Sequence, residues 1–230
     1  VTSLQLVRGF SVFANGGYLM SPFAVTDIIQ APHKVIYHRQ PDIICKKNKK
    51  ANTMQDQEEA QDDHCAPQVI DPQTAYLVHS VMKDVIKRGT GKAAYRVLKR
   101  NDLAGKTGTS SDQKDAWFVG YNQNVVAAAW VGFDDPKTTN EFGAQATLPI
   151  WIDFMKGALK DTAETSLPRP PGIITMRIDP ITGKQVSSDV KNSMFELYQQ
   201  GHLPAAETSS SVTNNNTDSS EAGVGVADLY

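Results

Sequence analysis

The sequence predicts an α/β fold in which an antiparallel sheet is flanked by helices, and three observations carry that expectation. Two short apolar runs, residues 116–121 and 125–131, are rich in valine and aromatic residues and flank Asn122-Gln123-Asn124, the pattern of an antiparallel hairpin. Apolar residues recur at helical spacing behind Asp71-Pro72, from Ala75 to Ile86. A second helical pattern begins at Leu148-Pro149-Ile150-Trp151.

Taken in order, residues 3–15 read as a helix with Leu6, Phe10 and Phe13 on one face, closed by Gly16-Gly17. Ser21-Pro22 opens an extended segment with Val25, Ile28 and Ile29 in strands, and Val35-Ile36-Tyr37 as their hairpin partner. Residues 31–70 form a polar insertion. Its part from 38 on is poor in apolar residues, carries opposite charge blocks and reads as partly mobile.

Cys45 and Cys65 bracket the centre of that insertion. A disulfide between them would contribute about 3 kcal/mol in the chain-entropy account and would imply an oxidising compartment. Two free thiols, or a metal site using His38 or His64, stand as alternatives, although the spacing carries no metal signature.

Asp71 is an N-cap and Pro72 the first helical residue. Ala75, Val78, Val81, Met82, Val85 and Ile86 mark the inner face up to Gly89. Residues 103–109 form a strand leading into the hairpin at a sheet edge, and residues 110–114 break it. The later helix runs to about residue 160, with Ile152, Met155 and Leu159 inward. Residues 168–171 make a proline-rich exit. Residues 173–179 are a strand turned by Pro180-Ile181-Thr182-Gly183. From residue 205 the chain is serine-, threonine- and asparagine-rich and reads as disordered.

The bulk numbers narrow the function. The 230 residues allow one large domain or two small ones, and 40% apolar content suits a core. A net charge of −2 speaks against nucleic acid or an anionic membrane as a general partner. Apolar runs fall short of the roughly 20 residues needed to cross a bilayer. No secretory signal opens the chain, and Val1 is not a natural start, so the expectation is a carboxy-terminal piece of a longer protein.

The chemistry is placed on Leu103-Ala104-Gly105-Lys106-Thr107-Gly108-Thr109. Lys106 is a fixed cation able to hold a substrate carboxylate and bias nearby proton transfers. Thr107 and Thr109 share a face by strand alternation, and their hydroxyls can bind that carboxylate. Gly108 leaves room for a substrate backbone to lie along the strand.

Lys106-Thr107-Gly108-Thr109, followed by Lys114-Asp115-Ala116-Trp117-Phe118-Val119-Gly120-Tyr121, resembles the third active-site motif of penicillin-binding transpeptidases. Arg88-Gly89-Thr90-Gly91 and Trp130-Val131-Gly132-Phe133-Asp134-Asp135 narrow the resemblance to the bifunctional class A proteins of 1A type. Phe13-Ala14-Asn15-Gly16-Gly17-Tyr18 and Leu148-Pro149-Ile150-Trp151 agree.

The resemblance implies a serine β-lactamase/transpeptidase-like fold, of which this chain is the carboxy-terminal half. Residues 1–30 and 71–165 would belong to the transpeptidase domain, 31–70 to the insertion, 166–204 to a carboxy-terminal extension and 205–230 to the tail. It implies peptidoglycan cross-linking by acyl transfer through a serine, with D-Ala-D-Ala stem peptides and β-lactams as ligands and neither cofactor nor metal. Lys106 and Thr109 would be catalytic, the Thr109 N–H being one oxyanion donor, while Thr107, Gly108 and Thr109 bind substrate. The remaining partner would be the amino-terminal part of the domain. An upstream anchor and glycosyltransferase domain would place the protein at the periplasmic face of the inner membrane.

Other readings compete. A solvated edge strand could carry a lysine merely to deter aggregation. Gly105-Lys106-Thr107 matches the end of a phosphate-binding loop, but Arg100 stands where its first glycine belongs, and no helix pattern follows. A non-catalytic module for cell-wall peptide or a partner protein, a serine β-lactamase and a D,D-carboxypeptidase also remain. Ser80-Val81-Met82-Lys83 fits S-x-x-K, yet helical phase turns Ser80 and Lys83 away from the apolar stripe, toward solvent. No S-x-N precedes Lys106, so the fragment alone is not expected to catalyse. Trp117, Phe118 and Trp130 read as core, Asp134-Asp135-Pro136 as a turn, and the histidines suggest no cluster.

Overall fold

A computed structural model describes residues 1–45, 64–135 and 137–206. The centre of the insertion and the tail beyond residue 206 therefore lie outside the described residues. Helix α1 (Ser3–Ala14) opens with a capping box, in which the Gln5 N–H donates to Thr2 Oγ1 at 3.2 Å and the Thr2 N–H to Gln5 Oε1 at 2.8 Å. It closes through the Gly17 N–H, which returns to the Val12 carbonyl at 2.8 Å past a left-handed Gly16.

Strands β1 (Asp27–Gln30) and β2 (Lys34–His38) form the expected hairpin, with Val25 just outside it. Both strands are exposed along their whole length. The hairpin spans the point where the insertion was expected to begin. Cys45 and Cys65 are joined by a disulfide. Beside it the Ile43 N–H donates to the His64 carbonyl and the Ala66 N–H to that of Ile43, at 2.8 and 2.9 Å, so the bridge ties off a neck.

Helix α2 (Pro72–Lys87) starts where Asp71 accepts the Thr74 N–H at 2.9 Å. Its buried positions are Ala75, His79, Met82 and Ile86, one residue per turn. Val81, expected inward, is 62% exposed. The stripe runs through a histidine instead, because a partner waits for it inside. His79 Nδ1 lies 3.2 Å from the Tyr121 hydroxyl, and the rings are 5.6 Å apart. Burial, with Lys83 adding to it, pushes the His79 imidazole down to about 4, and burial pushes the Tyr121 phenol up.

After the short helix α3 (Lys92–Leu98) come β3 (Ala104–Thr109), β4 (Asp115–Tyr121) and β5 (Val126–Gly132), an antiparallel sheet in that order. Phe118 and Tyr121, three apart on β4, face opposite sides. Phe118 meets Trp151 of α5 (Leu148–Ala158) edge-on at 4.9 Å, and Tyr121 meets Phe10 of α1 at 6.4 Å. Helices thus cover both faces of the sheet, and Leu148, Trp151, Ile152, Met155 and Leu159 are all buried.

The Asn122 turn is a buried hub. Asn122 Oδ1 accepts the N–H groups of Asn124 and Val125, both at 2.9 Å. Its amide donates to Asp102 at 3.1 Å. Asp102 also takes two hydrogen bonds from Arg100, at 2.9 and 2.7 Å, and the Thr165 N–H at 3.2 Å. Burial pushes the Asp102 carboxyl up, but those donors, Arg100 foremost, outweigh it and hold the group below its ordinary range.

Of the described residues, 1–175 with 197–203 make one compact unit, and 176–196 with 204–206 make another. Strands β6 (Ile173–Ile178) and β7 (Met194–Gln199) pair as a two-stranded sheet. In the second unit, Asp179 accepts the N–H groups of Ile181 and Thr182 at the expected turn. Arg177 donates to the Ser188 carbonyl and Ser193 Oγ and lies 4.9 Å from the Phe195 ring.

Candidate active site

Strand β3 is the outer strand of its sheet, so among the described residues no strand pairs with its far side. Lys106 stands opposite Val119, Thr107 opposite Phe118, Gly108 opposite Trp117 and Thr109 opposite Ala116. Alternation assigns Lys106 and Gly108 to one face and the two threonines to the other. Lys106 is exposed, with no carboxylate partner among the described residues. Its ammonium bends back over the strand to donate to the Thr107 carbonyl at 3.0 Å.

Among the described residues each threonine hydroxyl has one hydrogen-bonding neighbour. Thr109 Oγ1 accepts the Gly143 N–H at 3.2 Å, from the first residue of the short helix α4 (Gly143–Ala146). A hydroxyl has one proton and two lone pairs, so Thr109 keeps its proton for another acceptor. Thr107 Oγ1 lies 2.9 Å from Thr90 Oγ1, which projects from the turn between α2 and α3.

That turn is tightly wound. The Gly89 N–H donates to the Asp84 carbonyl at 3.0 Å and the Gly91 N–H to that of Val85 at 2.9 Å. A Cβ on Gly89 would sit 2.9 Å from Val85 Cα, and one on Gly91 3.0 Å from Ile86 Cδ1. The glycines of Arg88-Gly89-Thr90-Gly91 let the turn press on α2 while Thr90 reaches β3.

Neither Thr90 nor Gly143 was singled out as a site residue from the sequence. For Thr90 a signal existed, a hydroxyl residue between two glycines at a helix end. For Gly143 there was none. Gly108 has a second reason to be glycine, since a Cβ there would come 3.3 Å from Trp117 Cβ across the pair.

Beyond β3, the Ser110 N–H donates to the Asp115 carbonyl at 3.0 Å and the Asp115 N–H to Ser110 Oγ at 2.8 Å. Trp130 Nε1 donates to Asp115 Oδ1 at 2.9 Å. Trp130 was expected in the core but is 40% exposed, its ring 5.9 Å from that of half-buried Trp117. This pair lies on the face away from Phe118, near the end of the hairpin, and only Phe118 is fully buried.

Ser80 and Lys83 do not face open solvent as expected. Both are half-buried and line a cleft of about 180 Å³ with Tyr76, His79, Asp84, Lys87, Ser166 and Leu167. Residues 166 and 167 return over this side of α2, a contact that helical phase has no means of indicating. Burial, and then Lys87, lowers the Lys83 pKa.

An antiparallel sheet clothed by helices, with a Lys-Thr-Gly-Thr edge strand, places the chain in the serine β-lactamase/transpeptidase fold class. Within that class the chain belongs to the penicillin binding protein transpeptidase domain family, whose pattern matches residues 1–156. It is 38% identical to penicillin-binding protein 1A of Pseudomonas aeruginosa over 233 residues, 89% of this chain and 28% of that protein. Penicillin-binding protein 1A of Neisseria flavescens is 38% identical over 176 residues, 76% of this chain and 20% of that protein.

The crystal structure of penicillin-binding protein 1A from Haemophilus influenzae superposes with a TM-score of 0.75 at 31% identity, covering 89% of this chain and 33% of that one. A D,D-transpeptidase domain of a peptidoglycan glycosyltransferase from Eggerthella lenta matches at 24% identity and a TM-score of 0.52, over 71% of this chain and 33% of that one. That second match speaks for the fold alone. The chain thus spans a third or less of the length of these relatives. No helix among the described residues is long and apolar enough to cross a membrane.

Proposed function

We propose that this chain supplies the Lys-Thr-Gly half of a peptidoglycan D,D-transpeptidase active site. A serine outside these residues would attack the D-Ala-D-Ala carbonyl of a stem peptide and expel D-Ala. An amine of a second stem peptide then takes the acyl group, and β-lactams acylate the same serine.

In this reading Lys106, which starts from the other face but folds its ammonium back over the strand to the Thr107 carbonyl, holds the terminal carboxylate and biases proton transfer at the nucleophile. The hydroxyls of Thr107 and Thr109 donate to that carboxylate, Gly108 lets the peptide lie against the strand, and the Thr109 N–H steadies the oxyanion. The observation that carries it is the exposed Lys106 on an outer strand, with no carboxylate among the described residues to neutralise it. An edge lysine that only deters aggregation would not need two threonines beside it, each tied to a separate structural element.

The protein would act at the periplasmic face of the inner membrane, anchored and joined to a glycosyltransferase domain through upstream sequence. The Cys45–Cys65 bridge suits an oxidising compartment. Exposing the full-length protein to penicillin and weighing it intact tests the reading. A stable single acyl adduct is expected. No adduct, or rapid turnover of the drug, would point instead to a binding module or a β-lactamase.

A further inference from the structure

We infer that Thr90 is a positioning residue for the transpeptidase reaction: its hydroxyl donates to Thr107 Oγ1 and so leaves the Thr107 proton free for the substrate carboxylate. The inference rests on the function proposed above.

The two oxygens are 2.9 Å apart, and the distance alone does not say which one donates. The substrate decides. A carboxylate only accepts hydrogen bonds, whereas a threonine has one proton to give. If Thr107 spent that proton on Thr90, it would turn lone pairs toward the carboxylate and repel it. If Thr90 donates, Thr107 faces the carboxylate as a donor with its rotor fixed. Thr109 already stands in that state, because its neighbour, the Gly143 N–H, can only donate. Thr90 thereby does for Thr107 what a backbone amide does for Thr109, and the two β3 hydroxyls become equivalent proton donors two residues apart.

The turn is built to hold that geometry. Gly89 and Gly91 are pinned to carbonyls of the last turn of α2 at 3.0 and 2.9 Å. A Cβ on Gly89 would overlap Val85 Cα at 2.9 Å, and one on Gly91 would press on the Val85 carbonyl oxygen at 3.1 Å. The Lys92 N–H adds a bond to the Gly89 carbonyl at 3.2 Å. Thr90 is therefore presented by a backbone with little freedom, which keeps the ordering cost of the hydroxyl pair low when substrate arrives.

The test is the acylation rate of the full-length protein by benzylpenicillin and by its methyl ester, in wild type, Thr90→Val, Thr90→Ser and Lys106→Ala. Valine keeps the shape and removes the hydroxyl, and serine restores it. Thr90→Val is expected to slow acylation by the free acid roughly three- to ten-fold, the size of one neutral hydrogen bond. Thr90→Ser should recover most of the rate. The ester, with no anionic carboxylate, should react equally with wild type and Thr90→Val.

Equal slowing for acid and ester would overturn the inference and make Thr90 a structural residue only. Wild-type rates in Thr90→Val with a slow Lys106→Ala would also overturn it while leaving the proposed function standing. Wild-type rates in both variants would overturn the two together.

Discussion

Asp102 holds the guanidinium of Arg100 through two hydrogen bonds, at 2.9 and 2.7 Å, with its own side chain only 2% exposed. The same carboxylate binds the Asn122 amide at 3.1 Å and the Thr165 N–H at 3.2 Å. One group thus ties the approach to β3, the β4–β5 turn and the segment after α5.

Removing it should cost more than the pair contributes, because Arg100 would keep a charge whose side chain is 13% exposed. Asp102→Ala is expected to destabilise the protein by about 3 to 5 kcal/mol. The sign with pH follows from the lowered carboxyl pKa. The folded state releases the proton more readily than the unfolded chain, so the contribution is complete above the ordinary value near 3.8 and fades as pH falls below it. Thermal melts of wild type and variant at neutral pH and near pH 3 check both parts: the gap between them should narrow at the lower pH.

His79 titrates in a different window. Buried beside Tyr121, it takes a proton only near pH 4, whereas an unfolded histidine does so near 6.5. Below pH 6.5 the unfolded chain binds more protons than the folded one, so stability drops as pH falls toward 4. At 1.36 kcal/mol per unit the loss approaches about 3 kcal/mol. His79→Leu should flatten stability over this range, at a cost of about 1 kcal/mol at pH 7 for the lost hydrogen bond to Tyr121. Urea midpoints between pH 7 and 4.5 measure it, and an unchanged slope in the variant would refute the assignment.

The Cys45–Cys65 bridge sits within the insertion, at the neck of its central part, beside a pair of backbone hydrogen bonds. Closing a loop of that size contributes about 3 kcal/mol in the chain-entropy account. Cys45→Ser with Cys65→Ser should lower the melting temperature and remove its sensitivity to dithiothreitol. A wild type indifferent to reductant would contradict this.

These buried groups mark the boundary of what the sequence reveals. The hairpin of β4 and β5 was legible because its strands and turn are adjacent in the chain, and the start of α2 because a cap is local. The K-T-G strand was legible from the order of its neighbours. The inner face of α2 was misread at Val81 since hydrophobicity alone was counted, and the true inward residue, His79, is made acceptable by Tyr121, 42 positions away. Arg100, Asp102 and Asn122 were passed over for the same reason. Thr90 touches Thr107 across 17 residues and Gly143 touches Thr109 across 34, pairings that only the folded chain brings about.

Gly143 gives a sharper test of the site than its distance from the motif suggests. A Cβ there would lie 2.4 Å from the Trp117 carbonyl oxygen and 2.7 Å from that of Gly108. Gly143→Ala must therefore push α4 off the sheet and withdraw the N–H from Thr109. A loss of about 1 to 3 kcal/mol in stability and a clear slowing of penicillin acylation are expected. Gly157→Ala is the control: it sits on α5 with nothing within 4 Å of its added Cβ, and should leave acylation unchanged while gaining up to about 1 kcal/mol.

Lys106 separates chemistry from stability most cleanly. Its side chain is exposed, has no carboxylate partner among the described residues, and makes one hydrogen bond to the neighbouring carbonyl. Exposed positions of this kind change stability by about 0.5 kcal/mol or less. Lys106→Ala should thus melt with wild type while acylation by penicillin falls by a hundred-fold or more, a scale of roughly 3 kcal/mol in the barrier. Lys106→Arg keeps the charge but not the compact ammonium, and should recover only part of the rate. Time-resolved intact mass, read beside a melting curve on each preparation, measures both quantities. A normal rate in Lys106→Ala would remove the cation from the reaction, and a large drop in melting temperature would make the lysine part of the frame.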